Sequence, residues 1–352
     1  MYVRDCWYVA AWDHELTAEA PVGRVIINEP VVIYRSGSGR LVALADRCCH
    51  RFAPLSLGRV EGDELRCMYH GLKFDSSGRC TEIPGQDMIP ATACVKAYPV
   101  VSKHSWVWVW MGDPAKADEA LIPAAVGLED PDWTLRSGHM DYEANYLLIN
   151  DNLTDFTHLS YVHANSFGAT EAFARSRPTV ERLDRGVRIW RWMNDGLRED
   201  APTRVHRRAD GDMWQTYDFL APGILLMLTA TFPDGTAERF AHGPPDYSQV
   251  RPLAENFTSQ AVTPMTDKTS RYFFSWGPRS GEGSDAVADA MLQVAHMAFS
   301  EDRTVIEAQQ RSMDMAPGLK EVLTSADVGP MQMRAALQRL MRDEGTAAEA
   351  AA

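Results

Sequence analysis

The chain has only six cysteines in 352 residues, too few for a disulfide-built scaffold. It has no run of about 18–20 consecutive apolar residues, the length a membrane helix needs. Basic residues are also scarce: 35 Lys and Arg stand against 48 Asp and Glu, a formal net charge of −13. A surface of that sign lacks the cationic footprint that phosphate backbones require, so nucleic acid is not an expected partner. It equally lacks the polybasic cluster of a membrane-surface anchor. Met1-Tyr2-Val3-Arg4-Asp5-Cys6-Trp7 does not lead from a basic stretch into an apolar core. No secretory signal is expected there, and a cytoplasmic location is. An apolar share of 45% with 24% charged residues is the balance of a folded globular chain, not a disordered one.

At roughly 150 residues per domain, the length predicts about two domains. Short apolar runs at 22–27, 31–35, 41–45, 65–67, 72–74 and 106–110 read as strands. Ser36-Gly37-Ser38-Gly39 and Asp75-Ser76-Ser77-Gly78 are hairpin-type connectors between them. Trp106-Val107-Trp108-Val109-Trp110 alternates with period two, the pattern of a core strand with three indoles on one face. Gly112-Asp113-Pro114 and the polar residues up to Ala120 read as a linker. The boundary is therefore set with an all-β domain at 1–115 and a second domain at 116–352. In the second, 142–162 is free of Pro and Gly and predicts one long helix. Strands are predicted at 186–192, 214–220, 224–232, 257–262 and 271–276, helices at 286–313 and 331–342, and a frayed tail at 346–352.

Two motifs carry chemistry. The first is Cys48-Cys49-His50 followed by Cys67-Met68-Tyr69-His70-Gly71, a C-x-H-x16-C-x2-H pattern. Two thiolates and two imidazoles suit a tetrahedral zinc ion, but C-x-H is tighter than the usual zinc spacing. They also suit an iron–sulfur cluster whose two irons take two Cys and two His respectively. The second motif is Asn152-x2-Asp155-x2-His158-x4-His163. Asp155 and His158 are three apart and share a helix face. His163 lies about 140° further round an ideal helix, so both imidazoles reach one ion only if the helix bends or unwinds. Ala164-Asn165-Ser166 permits that. Such a polar cluster in an apolar stretch costs desolvation unless it is satisfied.

Together these segments resemble the oxygenase component of Rieske non-haem iron oxygenases. Cys6-Trp7-Tyr8-Val9-Ala10, Arg47-Cys48-Cys49-His50-Arg51, Ile149-Asn150-Asp151-Asn152-Leu153 and Ser300-Glu301-Asp302 are similar to the vanillate O-demethylase, dicamba O-demethylase and toluenesulfonate methyl-monooxygenase group. The resemblance covers nearly the whole chain. It implies an α+β fold: an all-β Rieske domain, then a catalytic domain with an antiparallel sheet flanked by helices, helix-grip and START-like. It implies a [2Fe–2S] cluster held by Cys48, His50, Cys67 and His70, and a mononuclear Fe(II) held by His158, His163 and Asp302. Glu301 and Glu307 are weaker candidates for the third ligand. Asp155 corresponds to the family's bridge between a cluster histidine and an iron histidine of neighbouring subunits, which implies a homotrimer. Asn152 is expected near the iron. Cys6, Cys49, Cys80 and Cys94 are read as free thiols.

The resemblance further implies O2 as co-substrate and NAD(P)H electrons delivered by a separate flavin/iron–sulfur reductase. The reaction implied is monooxygenation of a methyl or methoxy group on a small aromatic acid. Two other readings stand beside it: hydroxylation of a larger alicyclic or alkaloid substrate, and a non-enzymatic Rieske electron carrier. Gln260, Gln293 and His296 are polar positions in elements expected near the iron. The basic stretch 197–212, with Arg204, His206, Arg207 and Arg208, reads as a solvated loop.

Overall fold

The computed structural model describes residues 1–18, 20–193, 211–281 and 283–351, with side chains to 345. The basic stretch expected as a loop lies outside the described residues, apart from Gly211 and Asp212. The chain divides into one unit of Met1–Ile122 with Thr263–Asp267, and another of Pro123–Val262 with Lys268–Ala352.

The first unit is built from short strands: β1 (Trp7–Trp12), β2 (Val22–Ile26), β3 (Glu29–Arg35), β4 (Leu41–Ala45), β5 (Arg59–Glu61), β6 (Glu64–Arg66), β7 (Lys73–Phe74), β8 (Cys80–Glu82), β9 (Ala97–Tyr98), β10 (Val100–Lys103) and β11 (Trp106–Trp110). They pair as three small sheets, β1-β11-β10, β2-β3-β4-β9 and β5-β6-β7-β8. All five residues of β11 are buried, not alternate ones. The strand is central in its sheet with both faces covered; Trp110 packs against Trp7, Trp106 against Trp12, and Trp108 against Trp106. Cys48 lies in the connection after β4, and Cys67 in the turn between β6 and β7. Cys6, Cys49, Cys80 and Cys94 form no disulfide among the described residues.

The second unit centres on a seven-stranded antiparallel sheet. In chain order its strands are β12 (Arg136–Tyr142), β13 (Thr179–Leu183), β14 (Gly186–Met193), β15 (Asp212–Leu220), β16 (Ile224–Phe232), β17 (Ala254–Thr266) and β18 (Thr269–Pro278). They lie side by side as β12-β18-β17-β16-β15-β14-β13. Helices α1 (Tyr146–Thr154), α2 (Leu159–Val162) and α3 (Glu171–Arg175) separate β12 from β13, and α4 (Thr236–Arg239) precedes β17. After β18 come the long helix α5 (Ser284–Met315) and α6 (Val328–Ala351). Thus α6 continues through the tail expected to fray. Helix α5 buries Ala288, Met291, Val294, Ala295, Ala298, Phe299, Asp302 and Ile306, a stripe at the three-to-four spacing of one helix face. One carboxylate, Asp302, sits in that apolar stripe.

The single helix expected over 142–162 is not formed. Tyr142 belongs to β12, and α1 starts after Asn145, whose side chain accepts the Leu147 N–H at 2.9 Å. The helix stops at Thr154 because Asp155 is extended, with φ −128° and ψ 108°. Its carboxylate accepts the Thr157 N–H at 2.8 Å and the Thr157 hydroxyl at 3.0 Å. This local cap competes with helix continuation. A 3-10 turn over Phe156–His158 and the short α2 follow, with His163 just beyond its end. The helix thus breaks at Asp155, before His158, and ends again at His163, where 164–167 form a turn as the Ala164-Asn165-Ser166 segment permits.

Candidate metal centres

The two cysteine loops share one backbone design. In the first, the Cys48 N–H donates to Ala53 C=O at 2.9 Å, and the Phe52 N–H donates to Cys48 C=O at 2.9 Å. In the second, the Cys67 N–H donates to Leu72 C=O at 2.8 Å, and the Gly71 N–H donates to Cys67 C=O at 3.1 Å. Each turn closes through a left-handed residue four positions after its cysteine, Phe52 at φ 60° and Gly71 at φ 77°. The second turn is clamped from outside by Arg66, which donates to Gly71 C=O at 2.7 Å and pairs with Glu82 through both nitrogens of its fork.

Cys48 and Cys67 are buried, whereas His50 and His70 are exposed with ring centroids 4.5 Å apart. Burial pushes the Cys48 thiol up to about 12, and the Cys67 thiol beside it adds to the rise. Two thiolates coexist in that site only with positive charge between them. The donor set, two buried sulfurs and two outward imidazoles on matched turns, fits a [2Fe–2S] cluster in which one iron takes both cysteines and the other takes both histidines.

The second centre draws on α2, the turn before it and α5. His158, His163 and Asp302 each offer one ligand atom, all within 4.8 Å of one another. Asp302 Oδ1 lies 3.1 Å from His163 Nε2 and 3.6 Å from His158 Nε2. Both Nδ1 atoms are occupied: that of His158 lies 2.5 Å from Asp155 C=O, and that of His163 lies 2.9 Å from Glu301 Oε2. Ser166 donates to the same Glu301 oxygen at 2.6 Å. Acceptors at Nδ1 fix the proton there and leave the Nε2 lone pairs turned inward. Burial pushes His158 below its usual value, towards the neutral, ligating form. At His163 burial opposes the charge, but the Asp302 and Glu301 carboxylates outweigh it and raise the value. Two imidazoles and one carboxylate on one face fit a divalent iron with open positions.

The other residues expected near this centre fall as follows. Asn152 Nδ2 donates to Asp302 Oδ1 at 3.0 Å. Asp155 holds His158 by its backbone and Thr157 by its carboxylate. Glu307 faces away, accepting the Glu143 N–H at 3.1 Å. Gln260 is buried on β17, whereas Gln293 and His296 are exposed on α5. A cavity of about 150 Å³ opens beside the triad, lined by His158, His163, Asp302 and Asn152 together with Phe156, Met227 and Trp276. Gln215, Thr229 and Gln260 add polar groups from the sheet. Sequence reasoning missed Gln215 and Thr229, and gave Glu301 no role beyond that of an alternative ligand. Gln215 is in phase with buried Tyr217 and Phe219 on β15, a period-two signal; Thr229 lies on β16, whose burial does not alternate and which gives no such signal.

Two family models match this chain: a Rieske [2Fe-2S] domain over residues 6–99, and a vanillate O-demethylase oxygenase C-terminal domain over residues 142–343. The chain belongs to the Rieske oxygenases of the vanillate O-demethylase type. Among relatives of this Rieske oxygenase is the toluene-4-sulfonate monooxygenase system iron-sulfur subunit of Comamonas testosteroni, 43% identical and covering 99% of this chain and 100% of that protein. A vanillate O-demethylase oxygenase subunit of Pseudomonas sp. is 32% identical over 100% of this chain and 98% of its own. The crystal structure of dicamba monooxygenase bound to dicamba superposes with a TM-score of 0.85 at 31% identity, covering 98% and 99% of the two chains. The Rieske oxygenase is therefore an enzyme with the α+β architecture expected. The electron-carrier reading is set aside, because the second family model covers most of the second unit. Among the described residues no helix is long and apolar enough to cross a membrane.

Proposed function

We propose that this protein is the terminal oxygenase that monooxygenates a methyl or methoxy group of a small aromatic acid, using O2 and reductase-supplied NAD(P)H electrons. The observation that carries it is the convergence of His158, His163 and Asp302 on the wall of an apolar cavity. A volume of about 150 Å³ suits a single aromatic ring, since an engineered apolar cavity of about that size takes up benzene. A larger alicyclic substrate suits it less well.

In this reading Cys48, Cys67, His50 and His70 hold the cluster, and His158, His163 and Asp302 hold the iron. When bound, the cluster supplies single electrons and the iron supplies O2 activation. The chain's own residues bind and orient. Asp155 C=O and Glu301 set the two imidazole planes, and Asn152 holds the Asp302 carboxylate by its Oδ1. Phe156, Met227 and Trp276 exclude water around the substrate ring. One oxygen atom of O2 enters the C–H bond, and the other leaves as water with two electrons and two protons. A methyl group becomes an alcohol; a methoxy group becomes a hemiacetal that releases formaldehyde and a phenol.

A homotrimer and a cytoplasmic setting belong to the same reading. The exposed His50 and His70 are ringed by exposed Phe52, Met68 and Tyr69, an apolar rim suited to a neighbouring copy. Asp155 is half-buried, and its carboxylate is the group assigned to meet such a copy's cluster histidine. The same reading keeps the domain boundary at 115/116, seven residues before the division of the two units after Ile122. The test is metal content and product. Purified protein is expected to be red-brown, with a rhombic EPR signal on reduction. With a reductase it should convert toluene-4-sulfonate or a methoxybenzoate to the alcohol or the phenol plus formaldehyde. Zinc in place of iron, or O2 uptake without product, would count against the reading.

A further inference from the structure

We propose that Arg191, with Gln215 beside it, forms the anion-binding end of the substrate cavity. This rests on the reading that the substrate is an aromatic acid.

The sheet register places the residues. Arg191 on β14 pairs with Gln215 on β15, Gln215 with Thr229 on β16, and Thr229 with Asn256 on β17. Residues directly opposite across antiparallel strands share a face. Gln215, Thr229 and Asn256 all line the cavity, so Arg191 extends that polar row by one strand, about 4.8 Å. It lies in phase with Val187, Ile189 and Met193, the buried positions of β14.

Arg191 is only 3% exposed. One nitrogen, Nη2, donates to the Tyr217 hydroxyl at 3.2 Å. Nε and Nη1 are buried with no hydrogen-bond partner among the described residues. A guanidinium is always charged, and a buried charge without a counter-ion is costly. The amide oxygen of Gln215 likewise has no partner among them, so no bond there opposes turning the amide towards an anion. None of the described residues that line the cavity is a lysine or arginine. Its carboxylates are committed: Asp302 to the triad, and Glu255 to Arg279 at 2.7 Å. Arg191 is not itself in that lining; one strand beyond Gln215, it is the buried cation to which the polar row leads.

Phe156 links the two ends. Its ring lies 5.6 Å from the Arg191 guanidinium and 6.4 Å from the His158 ring. A carboxylate or sulfonate held by a free donor of the guanidinium, Nε–H or Nη1–H, thus keeps its ring in the apolar part of the cavity. Nε–H and Nη1–H lie on opposite sides of the fork, so an anion oxygen takes one of them, and the second Nη2 hydrogen can complete a pair on that side. Arg191 is a specificity and positioning residue; it touches the substrate's anion and not the reacting carbon.

The experiment is calorimetric titration of the holoenzyme with matched pairs: toluene-4-sulfonate against toluene-4-sulfonamide, and 4-methoxybenzoate against 4-methoxybenzamide. Wild type is expected to bind one anion at least tenfold more tightly than its neutral partner. Arg191→Met should lose that preference with the affinity for the neutral compound unchanged, and its turnover should show a raised KM with kcat retained. Arg191→Lys should keep part of the preference. The ligand-free melting temperature of Arg191→Met should not fall, because an unpaired charge is removed. An anion preference that survives in Arg191→Met overturns this assignment and leaves the aromatic-acid reading standing. No preference in wild type overturns both. Failure of Arg191→Met to fold would mark a structural role and overturns the assignment as well.

Discussion

Glu301 and Asp302 are neighbours on α5 with different tasks. Asp302 faces the two Nε2 atoms, and Glu301 holds the far side of His163. Asp302→Ala should therefore abolish mononuclear iron binding and leave the cluster spectrum unchanged, as elemental analysis and visible absorption will show. Glu301→Ala should weaken iron binding by about 10–100-fold, the usual cost of losing an orienting partner. Glu301→Gln, which can still accept from Nδ1, should recover much of it. The acidic pair was visible in the sequence, but its division of labour was not, since adjacent helix positions point about 100° apart and only the packing partner tells which way. Arg191 left a fainter trace: it is an arginine in phase with the apolar residues of an alternating strand.

At the scale of elements, the two cysteine turns show how loop backbone is held without regular structure. Gly71 has φ 77°, and a Cβ there would meet Pro84 Cγ at 2.8 Å. Gly71→Ala should cost about 1–2 kcal/mol for the left-handed backbone alone, read as a lower melting temperature and faster bleaching of the cluster colour. Glu82 supports the same turn. The Arg66 and Lys73 cations beside it draw its carboxyl from the ordinary 4.5 down to about 2. A depressed acid stabilises the fold above its unfolded value and loses that effect as pH falls through the folded one. The melting-temperature gap between wild type and Glu82→Gln should thus be widest above about pH 5 and close towards pH 2. The ligand spacing around these turns was legible because loop length sets which donors meet. The broken helix was not: 142–162 has helical composition throughout, and the break depends on Asp155 preferring a local cap to one more helical turn.

At the scale of the molecule, one hairpin serves both units. β17 and β18 belong to the second unit's sheet, yet their tip, Thr263–Asp267, belongs to the first. There Pro264 and Met265 accept the N–H groups of Ile27 and Asn28, and the Thr263 hydroxyl donates to Val9 C=O at 2.6 Å. Ile27 and Asn28 form the turn between β2 and β3 with φ of 44° and 65°, an unusual backbone for a β-branched isoleucine. Replacing 263–267 by a tight Asn-Gly turn in the full chain removes three hydrogen bonds, each worth about 1 kcal/mol net. The Rieske unit should melt several degrees earlier, followed by cluster absorbance, while the His158–His163–Asp302 site keeps its iron. The two-unit plan was foreseeable from length, whereas the residues read as a linker, Gly112-Asp113-Pro114, lie inside the first unit. The shared hairpin was not, because no local pattern announces a partner more than two hundred residues away. It also bears on how the protein is made. The first unit cannot be completed when its own 122 residues leave the ribosome; it must wait for residue 267. At about 5–20 residues per second, the nascent chain spends roughly 7–30 s with that turn unsupported. A cluster inserted during that interval would meet a host short of those three hydrogen bonds, and so less stable than the finished unit.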